Sequence, residues 1–207
     1  MKNLVLLILF SMFYGNSYTW TNTLSVYEIF RNNLIVPSII SSAPFNKIQI
    51  LYDSSTKVNL GNILQPFSVK FSPTYIWWPN KGAYAFYTLA MIDPDSGDIS
   101  QVKHWLVGNI PGIDIARGET IAEYMGSAPS LGTGYHRYIF LVFEQPYGRI
   151  KFNEPYSGVF DFTYRPYFSI QHFANKYRLG YPVAGNLYYA TWDLFVPILR
   201  AEHGLYM

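Results

Sequence analysis

The chain has 207 residues and no cysteine, is 50% hydrophobic and 19% aromatic, and carries a formal charge of +2. That length suits one domain with a sizeable core, and the apolar content excludes intrinsic disorder. The small charge, with no Lys/Arg cluster, excludes a nucleic-acid footprint, and the missing thiols exclude cysteine nucleophiles, Cys-ligated zinc and redox chemistry.

The first residues read differently from the rest. Met1-Lys2-Asn3 gives a short positive start, Leu4 to Phe13 is apolar apart from Ser11, and small residues follow at Gly15, Ser17 and Thr19. This is the three-part pattern of a secretory signal peptide. The apolar run is roughly half of the twenty residues that a spanning helix needs. A buried N-terminal helix or short anchor is the competing reading. The sequence thus predicts a signal peptide over 1–19, a single domain over 20–207, secretion, and no transmembrane segment. A domain of this size can hold together without disulfides. No Asn-x-Ser/Thr sequon is present, so N-glycosylation is not expected.

Tyr27 to Asn33 is a short helix candidate ended before Pro37. Most later segments are short and β-like. Lys47 to Tyr52 alternates and meets the turn cluster Asp53-Ser54-Ser55. Ser68 to Phe71 and Tyr75 to Trp78 flank Pro73, and Pro79-Asn80-Lys81-Gly82 makes a turn. Tyr84 to Ile92 is a nearly continuous apolar run, as expected of a strand covered on both faces. Lys103 to Ile110 and Tyr138 to Phe143 have the same character. Ile170, Phe173, Ala174 and Tyr177 form one helical stripe, with Gly180 placed to stop it. Gly185 to Asp193 returns to strand, and Phe195 to Ala201 can make a final helical turn or two. The whole predicts a mainly β domain, an antiparallel sandwich with peripheral helices.

Three segments set titratable residues beside these strands. Asp93-Pro94-Asp95-Ser96-Gly97-Asp98 follows the first apolar run, so Asp93 stands at a strand mouth. An Asx-turn carboxylate bonded to its own backbone is the plain alternative. His104 opens the next strand beside Trp105. Gly132-Thr133-Gly134-Tyr135-His136-Arg137-Tyr138 opens another, where alternation puts His136 and Tyr138 on one face and Tyr135 and Arg137 on the other. The plain role for Arg137 is to pair with a nearby carboxylate. Spacing alone does not bring these segments together.

Asp93-Pro-Asp95, His104-Trp-Leu-Val107 with Asn109-Ile-Pro-Gly112, and Gly134-Tyr-His-Arg-Tyr138 resemble successive hallmarks of the phosphatidylethanolamine-binding family. Gly126-Ser-Ala-Pro129, Leu179 to Asn186 and Trp192-Asp193 extend the resemblance, in order, from about Ile48 to Leu199. It implies a β-sandwich of a large and a smaller sheet and a small pocket for phosphate-like or carboxylate groups. Carried over position by position, the pocket residues are Asp93, His104, His136 and Tyr138, with Ala128-Pro129 supplying a wall and a backbone N–H. Histidine, tyrosine and backbone donors can converge on an anion, while Asp93 orients a histidine or shares a proton with the ligand.

The chain departs from the family pattern at Ser96-Gly97-Asp98, where Ala-Pro-Ser is common, and at Val102-Lys103 before the pocket histidine. Arg200 takes the position of a lid tyrosine in some members; it either strengthens anion binding or faces solvent. The leading expectation is a secreted, monomeric binding protein for a small phosphate-bearing ligand, a phospholipid headgroup among the candidates, with no cofactor and no metal. The alternative is a secreted serine-protease inhibitor or other protein-interaction module. Catalysis is not expected, because no Gly-x-Ser-x-Gly, His-Glu-x-x-His or Walker loop occurs.

Overall fold

The computed structural model describes residues 24–202, so the predicted signal peptide lies outside the described residues. Helix α1 (Val26–Asn32) begins with a reciprocal cap. Ser25 Oγ accepts from the Glu28 N–H at 3.2 Å, and the Glu28 carboxylate accepts from the Ser25 N–H at 2.8 Å. Its buried face is Val26 and Phe30. Next come β1 (Asn46–Lys47), β2 (Gln49–Leu51), β3 (Asn62–Ile63), β4 (Tyr75–Trp77), β5 (Phe86–Asp93), β6 (Val102–Pro111), β7 (Glu119–Ala122) and β8 (His136–Gln145). Helix α2 (Ile170–Lys176), β9 (Ala184–Ala190) and α3 (Val196–Glu202) complete the order.

The large sheet runs β1-β9-β8-β5-β6-β7, with β3 also on β9, and the small sheet is β2-β4. All β5, β6, β7 and β8 pairings are antiparallel, whereas β1 and β3 lie parallel to β9. The fold is mainly β, and the long apolar runs are its central strands. Every residue of β5 after Phe86 and every residue of β6 is buried. Alternation splits β8 cleanly. Ile139, Leu141 and Phe143 pack with Phe30, Ile170 and Phe173 under α1 and α2. Tyr138, Phe140 and Val142 pack with Ile50 and Trp78 of the small-sheet layer.

Some local expectations give way to tertiary structure. Ser68 to Phe71 is not a strand: Pro66–Val69 is a 3₁₀ turn with Pro66 at its start. Proline presets a helical φ there, and the alternation that follows only mimics a strand. The stripe of α2 ends at Tyr177, and Arg178, not Gly180, first takes the left-handed conformation, at φ 53°.

Candidate functional site

Antiparallel pairing explains why three distant segments meet. β5 ends where β6 and β8 begin: Asp93 is in register with Val102, and Ile92 with Ile139. The register between β5 and β6 then slips, Met91 facing Trp105 while Ile92 faces Lys103. His104 is therefore the extra residue of a β-bulge, which re-aims its side chain. Its ring lies edge-on to Tyr138, centroids 5.1 Å apart at 88°. Asp93, His104, His136 and Tyr138 all line one cavity of about 160 Å³, with Ala128 and Pro129 in its wall.

Asp93 is an Asx-turn carboxylate and a histidine partner at once. Oδ1 accepts from the Asp95 N–H at 2.7 Å. Oδ2 accepts from Ser96 Oγ at 2.7 Å and lies 2.8 Å from His136 Nδ1. Burial alone would raise its pKa, but the bond to His136, the charges of both histidines and the Ser96 hydroxyl outweigh that and lower it. An ionised carboxylate only accepts, so Nδ1 of His136 carries a proton. His136 Nε2 lies 2.8 Å from Thr133 Oγ1, whose own proton goes to the Ser130 carbonyl at 2.8 Å. Thr133 has one proton for two contacts. With Nε2 bare, that proton serves one contact or the other; with Nε2 carrying a proton, Thr133 Oγ1 accepts from it and donates to Ser130.

His104 Nδ1 lies 2.9 Å from the Met125 carbonyl. That oxygen can only accept, so Nδ1 holds a proton and Nε2 is the nitrogen through which the ring can serve the cavity. Tyr138 is wholly buried and stacks on Tyr188, centroids 5.1 Å apart. Its hydroxyl has no hydrogen-bond partner among the protein's atoms. Burial first, and then the Asp93 charge, push its pKa well up, so the phenol keeps its proton. The Ala128 backbone and the Asp93 carboxylate are both near enough to act on that oxygen, though neither stands in hydrogen-bonding geometry. The cavity therefore presents a protonated phenol, a backbone wall and two imidazoles, one braced by a carboxylate.

Arg137 goes to the other face, as alternation predicts. It clasps Asp95 through Nε at 2.8 Å and Nη2 at 2.5 Å. Asp98 is exposed and outside the cavity lining, so the extra carboxylate of Ser96-Gly97-Asp98 does not enter the site. Arg200 does not simply face solvent: it lines the cavity, and Nη1 donates to Ser130 Oγ at 2.8 Å.

Arg165 has no counterpart in the sequence reading. It is completely buried, and its five N–H bonds reach five carbonyls: Asp161, Lys103, His104, Glu123 and Gly158, at 2.7–3.2 Å. Burial pushes its pKa down to about 10. The residue ties the start of β6, and so His104, to the 158–165 loop that carries Phe162 into the cavity. Backbone partners leave no residue-type signal, so the sequence had nothing to reveal it.

A larger hollow of about 510 Å³ lies next door, lined by Phe71, Trp105 and Phe160 among others, with Lys70, Glu123 and Glu202 at its polar places. Two carboxylates against one lysine would repel an anion there. The smaller cavity gathers Asp93, His104, His136 and Tyr138. The buried Ser127 hydroxyl is hydrogen-bonded to no base. Among the described residues no cluster of His, Cys, Asp and Glu suits a metal ion, and no helix is long and apolar enough to cross a membrane.

Residues 54–188 match the family described as phosphatidylethanolamine-binding protein. The chain belongs to the phosphatidylethanolamine-binding protein family. It is 33% identical to a Drosophila melanogaster protein named odorant-binding protein A5, over 99% of each chain. It is 40% identical to the 26 kDa secreted antigen of Toxocara canis over 74% of this chain, spanning 60% of that antigen. Among solved structures it resembles a carboxypeptidase Y inhibitor complexed with its cognate proteinase, with TM-score 0.68 and 25% identity over 81% of this chain and 95% of the other. These relatives are named as binding proteins, an antigen and an inhibitor.

Proposed function

We propose that this family member is a secreted, single-domain binding protein that holds a small phosphate-bearing anion in the Asp93–His136 cavity and performs no chemistry on it. The observation that carries this reading is the buried Tyr138 hydroxyl, which makes no hydrogen bond within the protein and belongs to a residue lining one cavity with Asp93, His104, His136 and the Ala128–Pro129 wall. A buried donor without a partner is costly, and an anion oxygen satisfies it. The cavity is too small for acyl chains, so a phospholipid enters by its headgroup alone. The signal-like residues 1–19 and the secreted antigen among the relatives support an extracellular location.

Isothermal titration of the secreted protein with inorganic phosphate and phosphoethanolamine tests the reading. His136→Ala is expected to lower affinity at least about tenfold, the loss of one or two charge-assisted bonds. Equal binding by wild type and variant would sink it.

A second reading, inhibition of a peptidase, is supported by one observation, the likeness to the inhibitor–proteinase complex. A panel of serine proteases and carboxypeptidases checks it, and no inhibition at micromolar protein would remove it.

A further inference from the structure

The four residues at the heart of the site leave it short of positive charge. Asp93 is held ionised, and a positive charge on His136 would at most cancel it. His104 adds a charge only when its second nitrogen is protonated. Among the described residues lining the cavity, Arg200 is the one arginine or lysine. It sits on α3, half-buried, and reaches the loop that walls the site. Nη1 donates to Ser130 Oγ at 2.8 Å and stands 3.4 Å from the Ala128 carbonyl, a long contact. Nε is buried and bonded to nothing. The resting contacts of this guanidinium are few and exchangeable.

We propose that Arg200 is an anion-binding residue, and that its fixed charge selects a terminal phosphate group, free or on a small monoester, over a singly charged phosphodiester. The inference rests on reading the cavity as an anion site. A terminal phosphate carries about −1.5 to −2 charges at neutral pH, its second pKa being about 6. Beside the Asp93 carboxylate that second charge is unfavourable unless a permanent cation stands close. Arginine meets the need, because it stays charged and its planar fork matches two phosphate oxygens. The volume agrees: about 160 Å³ is close to that of cavities that take up a benzene-sized molecule, enough for a phosphate and a few attached atoms.

The test is calorimetry near pH 7.5 with wild type, Arg200→Gln and Arg200→Lys against inorganic phosphate, phosphoethanolamine and glycerophosphoethanolamine. Wild type is expected to prefer the two terminal phosphates to the diester. Arg200→Gln is expected to lose at least about tenfold on the terminal phosphates and less than about threefold on the diester. Arg200→Lys keeps the preference with weaker affinity, and it decides the matter should the glutamine variant fail to fold. Tighter binding of phosphoethanolamine than of phosphate points to a monoester, and equal binding to the free ion. Arg200→Gln with the wild-type preference, or Arg200→Lys without it, overturns the proposal while leaving the anion site standing. Wild type that takes up none of the three probes overturns the anion site itself.

Discussion

Asp93 Oδ2 and His136 Nδ1 stand 2.8 Å apart although 43 positions separate them along the chain. Burial works against the carboxylate and its hydrogen bonds more than offset that, leaving its pKa below the ordinary value of about 3.8. A carboxylate of lowered pKa contributes stability that is fully present above the unfolded value, about 3.9, and lost as pH falls through the folded one. Urea unfolding of the wild type is thus expected to show stability declining below about pH 4. Asp93→Asn puts an amide N–H2 where a carboxylate oxygen now accepts from His136 or Ser96, leaving a buried polar group unsatisfied, and is expected to cost about 1–3 kcal/mol near pH 7. Its stability should then change less than that of the wild type below pH 4. Parallel pH curves for the two proteins would contradict this account of the pair.

Tyr138→Phe separates ligand binding from folding. The hydroxyl it removes is buried and unbonded, and a lone buried donor costs about 1–3 kcal/mol. The variant is expected to be as stable as wild type, or up to about 1 kcal/mol more stable, while its phosphate affinity falls about fivefold to tenfold. Paired thermal melts and titrations check both halves. A variant that loses stability and keeps its affinity would show that the hydroxyl serves the fold and not the ligand.

How much of this was legible in the sequence depended on whether a feature expresses itself in neighbouring residues. The central strands did, since β5, β6 and β8 are buried on both faces and read as unbroken apolar runs. The short β7 did not: its first two residues are exposed and only Ile121 and Ala122 are buried. Alternation assigned His136 and Arg137 to opposite faces, which their contacts with Asp93 and Asp95 match. Whether Asp93, His104 and His136 converge was beyond spacing and came only from the family resemblance, because convergence depends on strand order and on the bulge at His104. The sequence does not decide between the two roles of Arg200, as one helix turn sets whether a side chain reaches a cavity or water.

Arg165 gives a prediction that no motif suggested. Its guanidinium neutralises no carboxylate directly and instead serves five carbonyls in the interior. Methionine in its place fills most of the volume and leaves five interior carbonyls without their donors. Arg165→Met is expected to destabilise the protein by about 3–5 kcal/mol. Lysine, with three donors on one atom, should recover only a small part of that. Denaturant midpoints measure the cost, and a methionine variant within about 1 kcal/mol of wild type would show the carbonyl cage to be dispensable.

Two glycines stand in the segments that carry cavity-lining residues, Gly126 between Met125 and Ala128 and Gly134 between Thr133 and His136, and they should respond differently to alanine. Gly134 has φ +79° and open space where a Cβ would stand. Only backbone conformation opposes a side chain there, so Gly134→Ala is expected to cost about 1–2 kcal/mol. Gly126 has no such φ, but a Cβ would lie 2.9 Å from the Cα of Lys70 and 3.0 Å from the Val69 carbonyl oxygen. Those are backbone atoms at the end of the Pro66–Val69 turn, and they cannot swing aside. The segment leading to Ala128 and Pro129 must move instead, carrying the cavity wall with it. Gly126→Ala is therefore expected to cost about 1–3 kcal/mol and also to weaken phosphate binding, whereas Gly134→Ala should act mainly on stability. Thermal melts and calorimetry on both variants check the contrast. Unchanged affinity in a folded Gly126→Ala protein would mean that the wall tolerates the shift, and that Ala128 contributes no bond to the anion.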